Sequence, residues 1–204
     1  MKKLSFLASL IILCLPLVAR AQEESPKVEI SGGYSFLRLN LGAIPRDAGL
    51  DPNLDDFDLH GFNTSFAGNF TRHIGVAGEF SHYTRSETLN FLGSPLPQGV
   101  NAKFRVMTLL FGPRVTLHRG RVEPFAHALF GGAYAHAEAS ALNTSVDETG
   151  GAFAYALGGG VDVKVHRNLA IRVGQVDYLG ARGDGETIGN FRFSVGVVVR
   201  LGNR

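Results

Sequence analysis

The chain has 204 residues, with 20 Lys+Arg against 18 Asp+Glu, 26 Gly, 15 Phe, one Cys and no Trp. That composition excludes a basic nucleic-acid-binding domain, a disulfide-stapled miniprotein and a collagen-like or disordered chain. Lys2, Lys3 and Arg20 all precede the first acid, Glu23, so the 183 residues after Ala21 carry 17 basic and 18 acidic side chains and announce no general electrostatic partner.

Lys2 and Lys3 lead into an apolar run from Leu4 to Val18, followed by Ala19-Arg20-Ala21. This order reads as a secretory signal peptide over residues 1–21, cut before Gln22. Cys14 sits inside the apolar run behind Leu13, which is not small, so it does not mark a lipid-attachment site. The remaining chain, residues 22–204, has no thiol and hence no disulfide, Cys-zinc site or Cys nucleophile. None of its apolar runs approaches the ~18 to 20 residues a membrane helix needs. Its apolar residues alternate instead.

Val28, Ile30, Tyr34 and Phe36 oppose Glu29, Ser31, Gly33 and Ser35. Phe62, Thr64, Phe66, Gly68 and Phe70 then oppose Gly61, Asn63, Ser65, Ala67 and Asn69; Ile74, Val76, Gly78 and Phe80 oppose Gly75, Ala77, Glu79 and Ser81. Segments 104–117 and 121–137 alternate less cleanly. Phe153, Tyr155, Leu157, Gly159, Val161 and Val163 oppose Ala154, Ala156, Gly158, Gly160, Asp162 and Lys164. Segment 169–178 changes phase at Gly174 or Gln175, as a bulge does. The last run sets Phe191, Phe193, Val195, Val197, Val199 and Leu201 against Arg192, Ser194, Gly196, Val198 and Arg200. Only strands separate such sets onto opposite faces. Eight are expected.

Three connections are short: Thr71-Arg72-His73, His118-Arg119-Gly120 and His166-Arg167-Asn168, with their arginines 47 and 48 residues apart. Longer polar segments are expected near 40–58, 84–102, 139–151 and 179–189. Strict alternation of short turns with long loops is the habit of a transmembrane barrel, and about 23 residues per strand and connection leaves room for a tilted membrane strand of ~9 to 11.

Parity alone does not say which face is inside. The polar parity is rich in Gly, Ala and Ser, which suits a narrow lumen. It also carries Glu29, Glu79 and Asp162 against Lys164, Arg172, Arg192 and Arg200, with Arg114 and Glu123 expected to join them in a paired network. Ser194 to Leu201 follows a polar-x-Gly-x-x-apolar-x-apolar pattern, similar to the terminal signal read by the barrel-insertion machinery of the bacterial outer membrane, although no terminal aromatic follows.

With these runs in hand the chain resembles the small outer-membrane β-barrels related to the transmembrane domain of outer membrane protein A. The segments that carry the likeness are Phe111-Gly112-Pro113-Arg114, Pro124 to Gly132, Arg172 to Tyr178 and Asn190 to Gly196. The resemblance implies an all-β, eight-stranded antiparallel up-and-down transmembrane barrel in the bacterial outer membrane, with a structural or surface-interaction role. It implies no catalytic motif and no cofactor. The partners expected are outer-membrane lipid and lipopolysaccharide, with no nucleic acid, and the chain is expected to be a monomer. A lipid-modifying enzyme and a soluble lipocalin-like binder are the alternatives.

Several local patterns compete with that reading. Asp51, Asn53 and Asp55 open like a calcium loop, but Asp56 and Phe62 stand where Gly and Glu belong, so no metal site is expected. Arg182-Gly183-Asp184 matches a short adhesive tripeptide that arises easily by chance. His82 with Ser81, Ser86 and Glu87 offers the parts of a hydrolase only if they converge. His127 and His136 are nine apart and so fall on opposite faces of an unbulged strand. His73, His118 and His166 are expected to meet water or headgroups. Gly131, Gly132, Gly158, Gly159 and Gly160 precede no helix and read as close packing, not as a phosphate loop.

Overall fold

The computed structural model describes residues 26–40, 56–89, 100–118, 120–141, 144–183 and 186–203, so the expected leader lies outside the described residues. Eight strands follow in order: β1 (Pro26–Asn40), β2 (Asp56–Asn69), β3 (Ile74–Leu89), β4 (Val100–Thr116), β5 (Val122–Ala141), β6 (Thr144–His166), β7 (Leu169–Gly183) and β8 (Glu186–Asn203). Each pairs antiparallel with the next, and β8 returns to β1, closing a barrel. At that seam Gly33 faces Gly196. A Cβ on Gly33 would run into the Val195 carbonyl, and one on Gly196 would lie 2.5 Å from the Gly32 oxygen, so two glycines let the strands close here.

The alternating pattern becomes two surfaces. On β8, Phe191, Phe193, Val195, Val197, Val199 and Leu201 point out and are exposed, whereas Arg192, Ser194, Val198 and Arg200 point in and are buried. Exposed large hydrophobics of this kind occur on all eight strands. An apolar surface that encircles the molecule is stable only against hydrocarbon. The lipocalin alternative, which needs the greasy side turned inward, is inconsistent with this arrangement. On β7 the phase change falls where the sequence places it: pairing slips between Arg172 and Gln175. Two residues, Val173 and Gly174, there occupy one step, and Gln175, Asp177 and Leu179 take the buried side already held by Arg172.

The short-turn rim is stitched together. The Thr116 amide donates to the His73 carbonyl at 2.8 Å, Lys164 to Arg121 at 2.8 Å and Arg200 to Asn168 at 2.9 Å. Gly120 takes φ 62°, the left-handed conformation that closes the β4–β5 turn without a Cβ penalty.

The opposite rim corrects the expected loops. Segments 139–151 and 179–189 are mostly strand: β5 and β6 stay paired out to Ala141↔Thr144, and β7 and β8 to Gly183↔Glu186. β3 and β4 continue to Leu89↔Val100, whereas β2–β3 pairing stops at His60↔Thr84 and β6–β7 pairing at Phe153↔Arg182. The reason is backbone pairing: a polar hairpin outside lipid needs no apolar face to remain a ladder. Of the described residues, those of β3 to β6 thus form a wall taller than the rest. Among the described residues, Thr144–Ala152 of β6 has a strand beside it only on the β5 side.

Candidate functional site

The inward parity fills the lumen in two layers. Nearest the short turns, Asp162 accepts from Arg172 Nε at 2.8 Å and Nη2 at 3.1 Å, and lies 3.4 Å from Arg114 Nη2. Arg114 also meets Glu29 at 2.9 Å, Arg200 pairs with Glu123, and Lys164 meets Glu123 at 3.3 Å. Phe125 lies in this layer with the guanidinium carbons of Arg114 and Arg172 at 4.4 and 4.3 Å from its ring centre. Cation–π attraction is stronger in such a desolvated setting than at a surface.

Higher in the lumen, Arg192 pairs with Glu79, donates from Nε and Nη2 to Asp177 Oδ2 at 2.8 and 2.6 Å, and donates to Ser81 Oγ at 3.0 Å. His127 Nε2 lies 2.7 Å from Asp177 Oδ1. Gln175 joins the two groups, because its Nε2 donates to Asp177 at 2.8 Å and Glu79 at 3.3 Å while its Oε1 accepts from Arg172 at 2.8 Å. Five carboxylates, Glu29, Glu79, Glu123, Asp162 and Asp177, therefore meet five cations, Arg114, Lys164, Arg172, Arg192 and Arg200. Pairing of this kind is what allows so many charges to leave water.

Toward the long-loop side the lumen turns apolar, beginning beside Arg192, whose register partner is Leu37. Leu37, Leu59, Leu110, Leu129, Leu179, Tyr83, Ala154 and Ala156 pack into one buried cluster, with Phe104, Val106 and Ala133 against it. The Tyr83 hydroxyl is tied to Ser35 at 2.8 Å, and Ser35 to Ser194 at 2.9 Å. Leu37, Leu59, Tyr83 and Arg192 all have zero exposure, so both layers are packed shut.

The charged residues expected in the lumen are brought together there, with Lys164 the most exposed at 28%. Phe125, Tyr83, Gln175 and Asp177 were not among them. The first two look lipid-facing by composition; the last two become legible only when the β7 bulge is carried through to the residues after it. His82 is on the outer face, ring to ring with Phe62 at 5.8 Å, whereas Ser81 is fully buried inside. Ser86 shares the outer face but is four residues on, roughly 13 Å along an extended strand, so the hydrolase parts do not converge. The Glu87 side chain lies outside the described residues.

His127 points into the lumen and His136 outward to Thr149 and Glu138, on opposite faces as expected. His118 departs from expectation. It is 6% exposed, edge to face with His73, and burial pushes its imidazole pKa down against the pull of Glu123 and Glu29. Of the acidic first loop, Asp51, Asn53 and Asp55 lie outside the described residues, and Asp58 is held by Arg38 at 3.0 Å. Among the described residues no group of three metal-ligating side chains gathers. Arg182 and Gly183 end β7, and Asp184 lies outside the described residues. Gly158, Gly159 and Gly160 run within β6 with strands on both sides, where a Cβ would meet neighbouring backbone.

Three comparisons bear on this architecture. Comparison with curated proteins gives no match. Among solved structures, the attachment invasion locus protein Ail of Yersinia pestis is 20% identical, with a TM-score of 0.57 over 85% of this chain and 99% of that one. The same protein in complex with the heparin analogue sucrose octasulfate gives 19% and 0.56 over the same shares. Neisserial surface protein A is 11% identical, with a TM-score of 0.53 over 88% of this chain and 100% of that one. These likenesses show the fold. The family model described as the outer membrane protein beta-barrel domain matches residues 5–200. With its lipid-facing belt, closed sheet and sealed lumen, the chain belongs to this family and is a small barrel of the bacterial outer membrane.

Proposed function

We propose that the protein works by contact: a sealed, non-catalytic barrel that holds the raised β3–β6 wall outside the cell for a partner to grip. The observation that carries this reading is the edge of β6, Thr144–Ala152, which has no strand on its outer side among the described residues. An unpaired ladder edge is a template for another chain's backbone. The short turns face the periplasm on this reading, as barrel turns do. A structural neighbour named for attachment and invasion supports the same class of role.

The remaining parts fit this role. Residues 1–21 direct export, and the Ser194–Leu201 pattern is taken up by the insertion machinery. Sheet closure leaves no edge inside the bilayer, which favours a monomer. Lys103, exposed on the outer face near the upper rim beside the Arg105–Glu138 pair, suits lipopolysaccharide phosphates.

Excising residues 137–148 and closing β5 to β6 with Asn-Gly removes the top of the wall and leaves the membrane belt. Cells carrying the intact barrel are expected to attach to epithelial monolayers, and cells carrying the shortened one to fall to background while keeping heat-modifiable gel migration. Equal attachment by both, or none by the intact form, would remove the wall from the function.

A further inference from the structure

We infer that the partner gripped at the β6 edge is an extended segment of another protein in which every second residue is large and apolar, an inference that rests on strand addition at that edge. Residues side by side on adjacent strands share a face, so the face of the wall next to the edge dictates what a docked strand can carry there. The two faces of this edge differ.

On the lumen side, side-chain size falls step by step toward the edge. One row of cross-strand partners runs Tyr83, Val106, Ala135, Gly150. Tyr83 is buried, Val106 is half-buried, and Ala135 and Gly150 are exposed. The next row toward the membrane ends in Ala133 and Ala152, both half-buried. The result is a ledge of small apolar residues, with Val106 and Ala133 packed on the buried cluster behind it. A Cβ on Gly150 would meet open space. A large apolar side chain from the next strand, lying over Gly150 and Ala135, covers apolar surface that these residues are too short to cover themselves.

The outer side is already occupied. Tyr134 leans against Gly151, where a Cβ would lie 3.6 Å from its Cε1, and His136 Nδ1 lies 2.9 Å from Thr149 Oγ1. Bulk gains little there. Alternation follows, with large apolar residues beside Gly150 and Ala152 and polar ones beside Thr149 and Gly151. Charge selects against a second copy of this chain, because residues 144–152 include Asp147 and Glu148 and no base, and two such edges laid together bring like charges together. The same composition favours Lys or Arg at the polar positions of the partner.

Two synthetic probes test this: the fluorescein-labelled peptide Lys-Phe-Lys-Phe-Lys-Phe-Lys and its counterpart with Ala for every Phe. Their affinities for the full barrel in phosphatidylcholine nanodiscs are read by anisotropy, with binding to empty discs subtracted. The Phe peptide is expected to bind about tenfold tighter, the worth of one partly covered aromatic side chain. Gly150→Phe and Ala135→Phe each fill the ledge and leave the backbone edge in place, and each is expected to bring the ratio down to about one. Methylating consecutive backbone nitrogens at the centre of either peptide removes donors from both of its edges and is expected to abolish binding. Equal binding by the two peptides, lost on methylation, would overturn the ledge and leave the edge standing, as would a preference that survives both fillings. Binding by neither peptide, or binding indifferent to methylation, would instead remove the edge as a docking strand, and the inference with it.

Discussion

Asp162 and Asp58 each hold an arginine, yet burial gives the two pairs unequal weight. Asp162 is fully buried, accepts two bonds from Arg172 and lies against Arg114, whereas Asp58 and Arg38 are 36% and 50% exposed. Neutralising a buried partner leaves the opposing charge desolvated and unpaired, a cost of about 3 kcal/mol. An exposed pair contributes less than about 1 kcal/mol because water and salt already screen it. Asp162→Asn is therefore expected to lower stability in lipid vesicles by about 3 kcal/mol, read from urea unfolding. Asp58→Asn is expected to change it by less than about 1 kcal/mol. A loss for Asp162→Asn no larger than that for Asp58→Asn would mean that the lumen is wet and its ion pairs are screened.

At the scale of the strand, the β7 bulge and the regular ladder of β8 respond to deletion in opposite ways. Removing Gly174 leaves Ala170, Arg172, Gln175, Asp177 and Leu179 on one parity and preserves the partners Asp162↔Arg172 and Gly160↔Gln175 on one side, Arg172↔Gly196 and Gln175↔Ser194 on the other. Removing Val195 instead forces either Arg192 or Arg200 out into lipid, because no neighbouring residue is spare. The Gly174 deletion is expected to keep heat-modifiable migration and the Val195 deletion to lose it. The same parity rule explains what was legible beforehand. Strands crossing lipid must keep one face apolar, so β2, β3, β6 and β8 and the slip in β7 could be read directly. Outside the bilayer that requirement lapses, and the polar top of the β5–β6 hairpin looked like a loop. Phe125 escaped for a different reason: an aromatic ring held between two guanidinium groups has the composition of a lipid-facing residue and the environment of a lumen charge.

For the whole molecule the two lumen layers are seals in series, and each blocks ions by a different means. The layer around Leu37, Leu59 and Tyr83 is lined by aliphatic side chains and its Tyr83, Ser35 and Ser194 hydroxyls are bonded to one another, while the layer beneath is filled by side chains already paired. Eight strands leave a lumen only as wide as such side chains. The unaltered protein is therefore expected to give no stepwise conductance in planar bilayers. Replacing Leu37 and Leu59 with Ala makes a dry cavity above an intact charged layer, and conductance is expected to remain absent. Adding Arg192→Ala leaves Glu79 and Asp177 without their shared cation, which draws water and mobile cations into the axis. Cation-selective steps are then expected to appear. Steps already present in the unaltered barrel would show that its ion pairs open and re-form, so that the lumen transmits ions despite having no side chain out of place.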